Sequence, residues 1–121
     1  MSKILIVDDS PAQLYQLQQM VEKVGHQALT AACGEDAIKI AALQNPELIL
    51  MDIVMPGMSG YTATRKLSRD EQTRHIPIIF VSSKDGDADR AWGLRQGARG
   101  YITKPVNQNL LLNAISSAMA A

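Results

Sequence analysis

The chain has 121 residues, 46% of them apolar, with twelve Lys and Arg against twelve Asp and Glu. That length makes one domain, able to bury roughly two thirds of the surface its unfolded form exposes, and the apolar share excludes disorder. A formal net charge of zero gives no electrostatic case for binding nucleic acid or a membrane surface, because counterion release needs clustered cations. A single cysteine, Cys33, makes neither an internal disulfide nor a metal cluster and fits a reducing compartment. The four apolar residues before Asp8 are too few for a signal peptide, and no apolar run approaches membrane-spanning length. The expectation is a cytoplasmic protein.

Five short apolar runs alternate with five helical stretches. The first run, Ile4–Val7, is apolar on both faces, as a strand covered from both sides should be. A helix follows, capped by Ser10 with Pro11 in its first turn, carrying Leu14, Leu17, Val21 and Val24 inward and stopped by Gly25. The second run, Ala28–Ala32, is mostly alanine and is supported by the regular alternation rather than by its own pattern. The second helix spans Glu35 to Gln44, with Ala37, Ile38, Ala41 and Ala42 inward, and ends at Asn45-Pro46. The third strand is Leu48–Met51, and its helix covers Tyr61–Arg69. The fourth strand is Ile78–Val81, followed by a helix from Asp87 to Gln96 that Gly97 terminates. The fifth strand is Tyr101–Ile102. Asn107 caps the last helix, whose Leu111, Ala114, Ile115 and Ala118 make its buried stripe. This alternation predicts right-handed crossovers and an α/β fold with a doubly wound, five-stranded parallel sheet of order 2-1-3-4-5, the flavodoxin-like arrangement. Residues 1–121 are expected to form one domain with no output domain attached.

Ligands of open α/β sheets bind at the carboxyl ends of the strands, near the point where strand order reverses. Asp8 and Asp9 end the first strand and Asp52 ends the third, and these strands are neighbours in the predicted order. Three like charges close together repel and raise one another's pKa. A hard divalent cation resolves the conflict, and oxygen-only ligands favour Mg2+. Ser82 follows the fourth strand and Lys104 the fifth, where its ammonium can pair with carboxylates or with an added phosphoryl group. The Lys104–Pro105 bond is open to either isomer. One aspartate at a strand end is most simply a cap or a loop residue. The set Asp8, Asp9, Asp52, Ser82 and Lys104 at successive strand ends points to a phosphoryl-transfer site.

With these residues in place, the chain resembles the receiver domains of two-component response regulators (CheY-like) over its full length. The matching segments are ILIVDDS, LILMDIVMPGMSGY, IPIIFVSS and GARGYITKPV. The resemblance implies that Asp52 accepts a phosphoryl group from a histidine kinase, and that Asp9 and Asp52 bind Mg2+ together with the Val54 backbone carbonyl. Asp8 would hold a metal-bound water, Ser82 would hydrogen-bond the phosphoryl group, and Lys104 would pair with it. Coupling of Ser82 to Tyr101 would remodel the face made by the fourth helix, fifth strand and fifth helix, where a downstream protein would bind. Such a protein is no enzyme in the ordinary sense: it assists its own phosphorylation and slow dephosphorylation. It would be a monomer or a weak phosphorylation-dependent dimer. Segments MDIVMPG, ATRKL and WGLRQGARGYITKPV further resemble the twitching-motility response regulators of type IV pilus systems, the PilH type, which a chemotaxis-like kinase serves. A generic CheY-like receiver, or a phosphate sink in another phosphorelay, is the alternative.

Val54 is apolar where many family members carry a polar side chain, which predicts slow hydrolysis of the phosphoaspartate. Lys84, two beyond Ser82, is a further candidate to draw the phosphoryl charge. Other features have plainer readings. Asp85, Asp87 and Asp89 lack the Gly and Glu of a calcium loop and suit the first turn of a helix. His26 and His75 have no partner at ligand spacing. Trp92 packs on a neighbouring element or anchors a partner, and Gly93 permits close approach. A haloacid-dehalogenase-type phosphatase would need a D-x-D motif after the first strand. A flavodoxin-like carrier would need a hydroxyl- and Gly-rich phosphate loop there, which DDSPAQ does not supply.

Overall fold

The computed structural model describes residues 2–120. Its elements run β1 (Lys3–Val7), α1 (Pro11–Lys23), β2 (Gln27–Ala31), α2 (Gly34–Gln44), β3 (Leu48–Met51), α3 (Gly60–Arg69), β4 (Ile78–Ser82), α4 (Asp87–Arg95), β5 (Gly100–Thr103) and α5 (Gln108–Met119). The five strands form one sheet of order β2-β1-β3-β4-β5, and every neighbouring pair is parallel. This is the doubly wound arrangement expected from the alternation.

Successive strand residues point to opposite faces, so the continuous apolar runs feed two cores. Leu5, Val7, Ile49, Met51, Ile78 and Phe80 pack with Ala37 and Ala41 of α2 and Ala63 and Leu67 of α3. Ile4, Ile6, Leu48, Leu50, Ile79 and Val81 pack with Leu17 and Val21 of α1 and Leu111, Ile115 and Ala118 of α5. Each such Val, Leu, Ile, Met or Phe side chain, fully buried, contributes about 1.5–3 kcal/mol relative to exposure, and each alanine less. Together they make the sheet a rigid platform for whatever stands at its edges.

The helix ends follow local chemistry. Ser10, Ser59 and Asn107 accept hydrogen bonds from the backbone N–H groups of Gln13, Thr62 and Leu110, capping α1, α3 and α5. Gly25 and Gly97 take φ of +93° and +111°, the left-handed region that glycine enters without steric penalty. Two residues assigned inward are exposed. Val24 caps α1 with non-helical backbone and is 45% exposed. Ala42 lies outside the stripe of Gly34, Ala37 and Ala41, on the solvent side of α2. Strand β2 begins and ends one residue earlier than its apolar run. Its bounds are set by the ladder to β1, from Lys3↔Gln27 to Val7↔Ala31, more than by its own side chains, of which only Ala31 is buried.

Helix α4 is the least embedded. Gly93 is its one buried residue, and a Cβ there would stand 3.0 Å from Phe80 Cδ2 and 3.1 Å from Tyr101 Cδ2. Close approach therefore requires glycine. The helix is held at its sides by two arginines. Arg90 donates to the Tyr101 carbonyl at 3.3 Å and to Thr103 Oγ1 at 2.8 Å. From α3, Arg65 donates to Gln96 Oε1 at 2.8 Å.

Candidate acidic site at the carboxyl edge of the sheet

The backbone ladder carries the acidic residues to one place. Asp52 N–H donates to the Val7 carbonyl at 2.9 Å, and Asp8 N–H donates to the Ala31 carbonyl at 3.1 Å. Both residues thus sit one step beyond paired strands. Asp8 is further fixed because its Oδ1 accepts the Ser10 N–H at 2.9 Å. Asp8, Asp9 and Asp52 each place a carboxylate oxygen within 4.8 Å of the others. Asp8 and Asp52 are buried, at 1% and 6% exposure, whereas Asp9 stands at the solvent side.

Lys104 crosses from the far side of the site. Its Nζ donates to Asp8 Oδ2 at 2.9 Å and to Asp52 Oδ1 at 3.2 Å. Its backbone N–H donates to the Ser82 carbonyl at 2.8 Å, tying the loop after β5 to the end of β4, and its bond to Pro105 is cis. Ser82 is the last residue of β4 rather than the first beyond it, is buried, and accepts the Lys84 N–H on its Oγ at 3.2 Å. The side chain of Val54 is 60% exposed, in the loop before α3.

Burial is the main force raising the Asp52 pKa; the Asp8 charge adds to it, and Lys104 opposes both. For Lys104, burial favours the neutral amine, yet its hydrogen bond to Asp8 and the charges of Asp52 and Asp8 outweigh it and the pKa is raised. Three carboxylates against one ammonium leave a formal excess of two negative charges, and the donor set is oxygen alone. Such a site fits a hard divalent cation such as Mg2+. Among the described residues, Asp8, Asp9 and Asp52 are the one His, Cys, Asp or Glu group with metal-like spacing. His75 instead pairs its Nε2 with Asn45 Oδ1 at 3.0 Å.

Tyr101 lies beside this site, on β5. Its hydroxyl donates to the Lys84 carbonyl at 2.7 Å. Its ring packs edge-on against Phe80, centroids 6.3 Å apart, under the Arg90 guanidinium at 5.2 Å. Burial foremost raises its pKa. The aromatic packing continues: Phe80 meets Tyr61 at 5.4 Å, and Tyr61 meets Trp92 at 6.4 Å, both edge to face.

Two contributors escaped sequence reading. Gly60 donates its N–H to the Ile53 carbonyl at 2.8 Å, and any Cβ on it would collide with the Asp52 carbonyl oxygen. The start of α3 is therefore pressed onto the backbone that carries Asp52. The Ser59-Gly60 pair before a helical run was the available signal. Arg90 had none, because its partners lie on another element.

Residues 4–116 match the response regulator receiver domain; the chain belongs to that family. It is 51% identical over 120 residues to Protein PilH of Pseudomonas aeruginosa, a match covering 99% of each chain. Among solved structures it superimposes on the chemotaxis protein CheY4 of Vibrio cholerae with a TM-score of 0.91 at 27% identity, covering 98% of both chains. The receiver domain of the sensor histidine kinase PA1611 of Pseudomonas aeruginosa, solved with a magnesium ion coordinated in its active-site cleft, gives a TM-score of 0.91 at 29% identity, over 99% of this chain and 98% of that one.

Proposed function

We propose that this receiver works as a stand-alone response regulator, taking a phosphoryl group on Asp52 from a histidine kinase and changing a protein-binding surface in response. The observation that carries the reading is the Lys104 ammonium lodged between Asp8 and Asp52, with Asp9 alongside. The near-complete mutual coverage with PilH supports the single-domain reading of residues 1–121 and a place in a chemotaxis-like system governing type IV pilus twitching.

An Asp52 carboxylate oxygen attacks the phosphorus of a phosphohistidine, a new O–P bond forms, and the P–N bond breaks as the imidazole leaves. Lys104 is already within hydrogen-bond reach of the attacking group and offsets charge on the transferred oxygens. Asp8, Asp9, Asp52 and the Val54 carbonyl would hold Mg2+, which supplies positive charge to the phosphoryl oxygens. Ser82 Oγ, at the end of the adjacent strand, would hydrogen-bond the new group. The product adds about two negative charges where the site already carries an excess, so Lys104 must redistribute its bonds. The segment running from Ser82, the last residue of β4, to Lys84 is tied to Tyr101 through the Lys84 carbonyl, which gives the α4–β5–α5 face a mechanical link to the site. Incubation with acetyl phosphate and Mg2+ tests the reading. Intact mass and peptide mapping should show one phosphoryl group on Asp52 and none on Asp52→Ala. Modification elsewhere, or none at all, would contradict it.

A further inference from the structure

Helix α4 presents two sides. Arg90 is turned to β5, whereas Trp92 and Gln96, two and six residues on, are turned to α3 through the Tyr61 ring and the Arg65 guanidinium. Trp92 therefore does not belong to the α4–β5–α5 face. It is 48% exposed, a large fraction for the chain's one tryptophan, and its edge-to-face partner Tyr61 is half-buried. Below them the surface turns cationic. Arg65 and Arg69 follow Tyr61 at four-residue steps on one side of α3, which carries three basic residues and no acidic one. Arg95, three beyond Trp92, is exposed in the last turn of α4, and the two helix ends are in close approach because Gly97 abuts Ser68, where a Cβ would stand 3.0 Å from its Oγ. Among the described residues, every ion pair involves Lys104. Arg65, Arg69 and Arg95 have no carboxylate partner among the described residues.

We propose that this α3–α4 face is a second docking surface, separate from α4–β5–α5 and independent of the phosphoacceptor reading, for an acidic segment of a partner protein that carries an apolar anchor. The composition supports it: Trp, Tyr and Arg are the residues that dominate binding energy at protein interfaces. Charge complementarity selects the occupant, since cations without carboxylate partners favour carboxylates and reject basic segments. The polarity also orients it. The apolar anchor belongs against Trp92 and Tyr61, whose rings meet edge to face at 6.4 Å, and the carboxylates belong against Arg65, Arg69 and Arg95.

The test titrates the labelled full chain with a short synthetic amphipathic peptide, Glu and Leu on opposite faces, and follows amide chemical shifts. A Lys-for-Glu peptide and an all-polar acidic peptide are the comparisons. Saturable shifts centred on residues 61–69 and 92–97 are expected, with the other two peptides binding at least about tenfold more weakly. Trp92→Ala, and separately Arg69→Gln with Arg95→Gln, should each weaken the Glu–Leu peptide by about tenfold, a fold-change of hot-spot size. Leu110→Ser, on α5, should leave it unchanged. Absence of saturation, equal binding of the Lys peptide, or shifts centred on β5 and α5 would each overturn the proposal. Unperturbed amide spectra of the free variants show that folding is intact.

Discussion

Replacing Lys104 with Met removes the one cation from the acidic cluster while keeping most of the side chain's volume. At 2.9 and 3.2 Å, each lost attraction is about 5 kcal/mol at an effective dielectric of about 20. Desolvation of the ammonium, whose side chain is 17% exposed, offsets much of that. Removing one partner of a buried pair costs about 3–5 kcal/mol in total, and partial exposure places this case near 3 kcal/mol. With a urea slope of about 2 kcal/mol per molar, the midpoint at pH 7 should fall by about 1.5 M. The loss should depend on pH. The raised pKa of Asp52 means that the folded chain retains its proton as pH rises above 3.8, and a protonated carboxyl needs no cation. The difference between wild type and Lys104→Met should therefore shrink below about pH 4. The raised pKa of Lys104 makes its contribution complete below 10.5, and it is lost as pH climbs through the folded value. Equal midpoints at pH 7, or the same loss at pH 7 and pH 3.5, would refute the electrostatic account.

The same shift predicts that Asp52→Asn, while abolishing phosphorylation, raises the melting temperature by a few degrees at pH 7. An ionised Asp52 is a net liability there, and the gain should vanish below pH 3.8, where the carboxyl is protonated folded or unfolded. Mg2+ at 100 times its dissociation constant should stabilise the wild type by about 2.7 kcal/mol. Asp9→Ala should suppress that gain with little change in metal-free stability, because Asp9 is exposed; calorimetry with and without Mg2+ decides. Gly93→Ala should destabilise by about 1–2 kcal/mol, since overpacking against Phe80 and Tyr101 exceeds the helix-propensity gain of about 1 kcal/mol. A thermal melt no lower than wild type would contradict that packing. Val54→Asn should speed loss of the Asp52 phosphoryl group, measured as phosphate release after donor removal; an unchanged rate removes Val54 from the account.

The elements that hold the site were the most legible in the sequence. ILIV and LILM are apolar on both faces because the sheet is covered on both sides, and the aspartates after them could only emerge at the carboxyl edge. Strand β2 was harder: an edge strand needs little apolar content once its neighbour supplies the ladder. Val24 and Ala42 fitted a helical period but fell where the helix had ended or turned to solvent. The Ser82 hydroxyl ends an apolar run and so hides the last residue of the strand, whose backbone continues the β4–β5 pairing to Thr103. The bridge from Lys104 to both Asp8 and Asp52 joins residues up to 96 apart, and only the folded sheet sets its distances. Gly60 and Arg90 were opaque for the same reason, since what each does is fixed by a backbone or ring on another element.

Four of the five aromatic residues, all except Tyr15, lie in the row Tyr101–Phe80–Tyr61–Trp92. The only indole is therefore at the solvent end of a stack whose other end is the tyrosine tied to the loop after β4. The chain carries its own optical gauge. A change at Tyr101 that moves Phe80 must alter the ring against which Trp92 rests, and intrinsic emission should report it in unlabelled protein on the stopped-flow timescale.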